Sequence, residues 1–126
     1  LPSKNYPAQC GVFCVLYKVK PIRYPSCMAL TPEKKVKNKV VALLKERGAY
    51  YFFPASYGMG RSGVPDVVAC HCGRFIGIEC KAGKNTTTML QDRELAAIEE
   101  AGGLPLVINE HNLDDLAVKL DTIECQ

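Results

Sequence analysis

The 126-residue sequence has no cysteines at Cys-x-x-Cys spacing, no internal repeat, no low-complexity tract and no apolar run long enough to cross a bilayer. Each absence removes a class. Without paired Cys-x-x-Cys steps, Cys10, Cys14, Cys27, Cys70, Cys72, Cys80 and Cys125 do not spell a zinc finger or ribbon. Without repeats the chain is not a solenoid. The apolar stretch from Cys10 to Tyr17 is too brief for a membrane span, and it lacks the basic start and small-residue cleavage site of a secretory signal. Residues 1–27 hold no Asp or Glu, against Lys4, Lys18, Lys20 and Arg23, and are punctuated by Pro2, Pro7, Pro21 and Pro25. They are read as an N-terminal extension, either non-native or a basic arm for DNA or a partner chain. Met28-Ala29-Leu30 is then the expected natural beginning of a single domain over residues 28–126.

One domain is what this length supports: a 48% hydrophobic content can build one core and no second. The net charge of +3 conceals an uneven distribution. Through Gln91 there are fourteen Lys/Arg against four Asp/Glu, a net of +10; from Asp92 onward there are two against nine, a net of −7. A basic half attracts a polyanion through counterion release, while the acidic half is expected to face solvent or another subunit. Any one of Lys34, Lys35, Lys37, Lys39 and Lys45 is equally well explained as the wet side of a helix.

The informative motif is Pro65-Asp66 followed by Glu79-Cys80-Lys81. Proline can precede a strand but not continue its ladder, so Asp66 stands where the apolar run Val67–Cys70 opens. A short turn at His71-Cys72-Gly73 leads into a second strand, Arg74 to Lys81. Strand side chains alternate, so Glu79 and Lys81 project together and Ile76, Ile78 and Cys80 project to the other side. If the hairpin brings Asp66 beside Glu79, two hard oxygen donors converge, a set suited to Mg²⁺ or Mn²⁺ rather than zinc. An ammonium beside them can stabilise the charge of a phosphorane or orient a water, which points to phosphodiester hydrolysis.

Around this motif the elements follow in order. Thr31 is an N-cap, Pro32 suits the first helical position, and Val36, Val40, Leu43 and Leu44 recur at helical spacing until Gly48. Glu33 is expected on the same inward stripe through its three-residue step to Val36. A first-turn carboxylate ordinarily serves the helix dipole, yet from this position it could also reach a site at the sheet edge. Ala49–Pro54 reads as an aromatic strand and 55–63 as a Gly/Ser loop. In that loop Ser56, Tyr57 and Arg61 are candidate phosphate contacts, joined by Ser62 and, farther on, by Lys84 and Thr88. Thr88 to Gln91 fits a capping box at the head of a helix running to Gly102. Gln91 therefore either satisfies the helix terminus, positions a water or phosphate, or does both. Leu104–Asn109 is a further strand and 111–120 a last helix. The order α-β-β-β-α-β-α indicates an α/β fold with a small mixed sheet flanked by helices.

Taken in order, Glu33 in a first helix, Gly63-Val64-Pro65-Asp66, Glu79-Cys80-Lys81 and Gln91 opening a second helix resemble the PD-(D/E)xK nuclease superfamily. The likeness is strongest to its VRR-NUC branch, which also stands alone in phage proteins, and covers residues 28–109. The resemblance implies a restriction-endonuclease-like core and a Mg²⁺- or Mn²⁺-dependent endodeoxyribonuclease. It implies action on Holliday junctions or other branched DNA, by a homodimer in an intracellular, cytoplasmic setting with no membrane. It further implies Glu33, Asp66, Glu79 and the Cys80 carbonyl as metal ligands, with Lys81 and Gln91 assisting the water. Two other functions fit the residues: a nucleic-acid-binding module that cuts nothing, and a restriction-type enzyme acting on plain duplexes.

The odd cysteine count, with Cys70 and Cys80 on strands, predicts buried reduced thiols and hence an intracellular protein. A soft-metal site at Cys70-His71-Cys72 is disfavoured because neighbours on a strand point apart.

Overall fold

A computed structural model describes residues 30–55 and 60–125. The N-terminal extension, the Met28 start, the loop residues Ser56 and Tyr57, and Cys10, Cys14 and Cys27 lie outside these.

Helix α1 (Pro32–Glu46) begins as its cap residues dictate: Thr31 Oγ1 accepts the Lys34 N–H at 3.3 Å and proline occupies the first turn. Val36, Val40 and Leu44 form its buried stripe. Strand β1 (Tyr50–Phe52) is shorter than the Ala49–Pro54 run suggests. It pairs with only three residues of its neighbour, and Tyr50, Phe52 and Phe53 remain exposed. Strands β2 (Val67–His71) and β3 (Arg74–Cys80) form the expected hairpin. Cys72 and Gly73 connect them with φ of 49° and 78°, both left-handed, as a two-residue turn matched to strand twist requires.

Helix α2 (Met89–Glu100) then crosses over to β4 (Leu104–Ile108), which lies parallel to β3, and α3 (Leu113–Thr122) completes the chain. The sheet order is β1-β2-β3-β4, antiparallel except for the last pair. This is the expected α/β arrangement, a restriction-endonuclease-like core of mixed sheet and flanking helices. Pro105 is tolerated because β4 is an edge strand.

Strand alternation separates two layers. Val67, Ala69, Ile76, Ile78 and Cys80 join Val36, Val40 and Leu44 of α1 and Leu116 and Leu120 of α3 in one core. The opposite face carries Gly77 and Glu79 and is covered by α2; a Cβ on Gly77 would lie 2.5 Å from Ile98 Cδ1, so glycine lets that helix approach the sheet closely. Among the described residues no helix is long and apolar enough to cross a membrane.

The cysteines depart from expectation. Cys80 is a buried thiol as foreseen, but Cys70 is exposed and Cys72 is joined to Cys125 in a disulfide with Cα atoms 4.5 Å apart. Cys72 belongs to the turn, not to a strand, and the C-terminal residues after α3 return to the end of the hairpin. Reduced thiols thus no longer argue for an intracellular setting.

Candidate active site

The hairpin register pairs Val67 with Ile78, which sets Asp66 and Glu79 next to each other at the end of the ladder. Asp66 Oδ2 accepts the Cys80 main-chain N–H at 3.1 Å, extending the sheet's bonding pattern with a side chain. In a strand the N–H and C=O of one residue address the same neighbour, so the Cys80 carbonyl also opens toward Asp66. Glu79 lies on the α2 side and is only 3% exposed. Burial, followed by repulsion from the Asp66 carboxylate, raises its pKa; Lys81 and the Asp66 main-chain N–H work against that rise. Two carboxylates that repel each other in a partly dehydrated corner make a site that gains from a cation.

Lys81 and Gln91 close a network around Glu79. Lys81 Nζ is 3.1 Å from Glu79 Oε1 and donates to Gln91 Oε1 at 3.0 Å. The Gln91 amide in turn donates to Glu79 Oε1. Gln91 also completes the capping box: its Oε1 accepts the Thr88 N–H at 2.9 Å, and its own N–H reaches Thr88 Oγ1 at 3.4 Å. The capping reading of Gln91 therefore holds, and the same side chain also meets Lys81 and Glu79. Gly63 secures the arrangement from outside. It has φ of 81°, and a Cβ there would lie 2.5 Å from the Leu90 backbone, so the loop before Asp66 presses on the head of α2.

Glu33 is corrected in one respect. It is exposed, because the buried stripe of α1 starts only at Val36 and the first turn stays in solvent. Its Oε1 accepts the Asn85 side-chain amide at 3.1 Å. It nonetheless lines one cleft with Asp66 and Cys80, whose other walls are Lys34, Lys37, Asn38 and Phe53. Lys37 Nζ sits 4.4 Å from the Phe53 ring centroid, a cation–π contact that holds an ammonium at the cleft wall. The Cys80 thiol has its pKa pushed up to about 12, by burial first and then by Asp66, and so remains protonated.

Of the other candidate DNA contacts, Arg61 is largely exposed yet its guanidinium is 3.0 Å from Glu94 Oε1. Ser62 and Lys84 are exposed, and Thr88 is exposed while serving as the cap of α2. Sequence reading missed Lys37 and Asn85, which look like ordinary surface residues. It also missed Glu94 as a carboxylate, 6% exposed, anchoring Arg61. A charged residue on the inward stripe of a helix, beside Leu95 and Ile98, was the available signal for Glu94.

Glu33, Asp66 and Glu79 surround the end of the hairpin without their oxygens all falling within 4.8 Å of one another; among the described residues only His71, Cys72 and Cys125 do so. The carboxylates approach from three directions: α1, the start of β2 and the α2 face of β3. An oxygen-rich corner of this kind, beside a lysine at the end of an antiparallel hairpin, has the donor chemistry of a phosphodiesterase. No curated protein matches the sequence. Residues 33–116, well over half the chain, match the family model described as archaeal Holliday junction resolvase (hjc), so the chain belongs to that family, a PD-(D/E)xK-type nuclease family.

Proposed function

We propose that the protein is a divalent-metal-dependent, structure-selective endodeoxyribonuclease that resolves Holliday junctions or related branched DNA as a homodimer. The observation that carries this reading is the juxtaposition of Asp66, Glu79, Lys81 and Gln91 at one end of β2 and β3, in a chain of the resolvase family. Within the superfamily, the ordered residues Glu33, Asp66, Glu79-Cys80-Lys81 and Gln91 favour a VRR-NUC-like member. The work is on DNA, so we assign it to the cytoplasm.

The donors suit Mg²⁺ or Mn²⁺: carboxylate oxygens from Asp66 and Glu79, a third from Glu33, and the Cys80 carbonyl, with no nitrogen or thiolate among them. Bound there, such an ion would supply a Lewis acid that polarises a phosphoryl oxygen and makes a nearby water more acidic than bulk water. The chain's own residues do the rest. Lys81, held between Glu79 and Gln91, offers its ammonium to the non-bridging oxygens as charge builds in the phosphorane. Gln91 keeps that ammonium in place from the head of α2. Arg61, Ser62, Lys84 and Thr88, together with Ser56 and Tyr57, are assigned to the DNA backbone, and Lys34 and Lys37 add positive charge beside the cleft.

Incubation with a labelled four-way junction in Mg²⁺, Mn²⁺ or EDTA tests the reading. Expected are cleavage with either metal, none in EDTA, and loss of cleavage but not of binding in Lys81→Ala. Binding without cutting under any metal would instead make the protein a nucleic-acid-binding module. Cutting of plain duplexes at one fixed sequence would make it a restriction-type enzyme.

A further inference from the structure

At the opposite end of the hairpin from Asp66, the turn joining β2 to β3 meets the residues that follow α3. There the His71 imidazole and the sulfurs of Cys72 and Cys125 all lie within 4.8 Å of one another. We propose that these three residues form a second metal site, selective for zinc, which is available when Cys72 and Cys125 are reduced.

Successive strand residues point apart, which is why His71 and Cys72 do not look like joint ligands in the sequence. Cys72 escapes that rule because its φ of 49° belongs to the turn, and the left-handed backbone brings its sulfur to the side of His71. Cys125 arrives from a sequence distance of 53 residues. Its approach is fixed from two sides: Ile123 packs against the core, and Asp121 is held by Arg47, the C-cap of α1, at 2.7 and 3.2 Å. The three donors come from two chain segments that the fold already holds together, so a metal would find most of its site assembled.

One imidazole nitrogen and two thiolates form a borderline-soft set that suits Zn²⁺, unlike the all-oxygen corner at the other end of the hairpin. Ligands on a tetrahedral zinc stand about 3.5–4 Å apart, given bond lengths of about 2.0–2.3 Å, so the observed grouping needs only side-chain adjustment. A fourth position is left for water or a partner's donor. It adjoins a cleft lined by Arg74, Phe75, Lys119 and Glu124.

In the structure the two sulfurs are bonded to each other. A trialkylphosphine opens that bond by taking one oxygen from water to become the phosphine oxide, leaving one proton on each sulfur. Zinc binding then releases those two protons, because thiolates are the ligands.

Cobalt(II) is the probe. The full chain, reduced with phosphine and kept free of oxygen, is titrated with Co²⁺ and then with Zn²⁺. Expected are a thiolate-to-cobalt charge-transfer band in the near ultraviolet, intense visible bands of a tetrahedral ion, saturation at one equivalent, and loss of both on adding zinc. Cys125→Ser, an exposed position near the end of the chain, should weaken cobalt binding by more than the roughly 10–100-fold typical of losing an outer partner. His71→Ala should do likewise, while Cys70→Ser should leave the spectrum unchanged. No charge-transfer band in the reduced protein, or a full-strength band in Cys72→Ser/Cys125→Ser, would overturn the proposal. Since the readout is spectroscopic, it can be repeated in Asp66→Asn, so its outcome does not depend on the nuclease reading.

Discussion

The Lys81 ammonium donates to Gln91 Oε1 at 3.0 Å, and that same oxygen accepts the Thr88 main-chain N–H at 2.9 Å. The cap of α2 and the amine of the site therefore share one atom. Helix start and site geometry are coupled, and substitutions can separate them.

Thr88→Ala removes the hydroxyl that accepts the Gln91 N–H but leaves the Gln91 carboxamide. It should cost about 1 kcal/mol of stability with a small effect on cleavage. Gln91→Ala removes the contacts to Lys81 and Glu79 as well, so the turnover number should fall much further than in Thr88→Ala at similar stability. Denaturant melts run beside single-turnover junction cleavage distinguish the two. Equal cleavage losses in both variants would reduce Gln91 to a capping residue.

Asp66→Asn and Lys81→Ala should each lower single-turnover cleavage by roughly 10²–10³-fold or more while leaving junction affinity nearly intact, since Asp66 is proposed to hold the metal and Lys81 to meet the charge that develops in the transition state. Gel-shift titration in calcium beside cleavage in magnesium gives both quantities. A parallel loss of affinity in Lys81→Ala would move this residue from the chemistry to the grip on DNA.

The raised pKa of Glu79 sets a sign for the metal-free protein. A carboxyl whose folded pKa lies above its unfolded value stabilises fully below the unfolded value, and that contribution is lost as pH rises through the folded value. Metal-free protein should thus lose melting temperature across this interval as pH rises. Glu79→Gln should flatten the trend, and added Mg²⁺ or Mn²⁺ should offset it, because an ion that binds only the folded state stabilises it. Thermal melts at stepped pH, with EDTA or metal, provide the check.

Asp121 runs the other way. Its hydrogen bonds from Arg47, and to a lesser extent the charge of that guanidinium, hold its pKa below the usual carboxylate range. Its contribution is present above the unfolded value and fades as pH falls through the folded one. Asp121→Asn should therefore match the parent at low pH and melt lower near neutrality; equal melting temperatures at both pH values would mean that the pair contributes nothing to stability.

In the core, Leu44→Ala should cost about 2–5 kcal/mol, since Leu44 is fully buried in the main hydrophobic cluster. Gly63→Ala combines a left-handed φ with a Cβ 2.5 Å from the Leu90 backbone, so it should lower both stability and cleavage by displacing the head of α2. Urea unfolding measures the first effect, and unfolding with junction cleavage the second.

Much of this molecule was legible in the chain because the signals are local. Thr31-Pro32 starts a helix, Cys72-Gly73 turns a hairpin, and the two-residue alternation puts Glu79 and Cys80 on opposite faces. Pro65-Asp66 and Glu79-Cys80-Lys81 stand at the adjoining ends of consecutive strands, so their meeting follows once the hairpin is recognised. Glu33 was misread in its burial, because periodicity assigns a helix face without saying how far along the helix the core extends. Cys72 and Cys125 were misread because an odd count and missing Cys-x-x-Cys steps do not say which cysteines the fold brings together across 53 residues.

The sequence by itself determined the order of elements, the hairpin that brings Asp66 to Glu79, and the cap that begins α2, all of which depend on neighbours a few residues away or on one tight turn. Only the tertiary structure decided that Gln91 reaches Lys81 and Glu79, that Arg61 is held by Glu94 33 residues on, that Asn85 meets Glu33 across 52, and that Cys125 returns to Cys72 across 53. Those contacts depend on how helices seat on the sheet, and the seating is set by the packing of the whole core at once, which no local periodicity encodes.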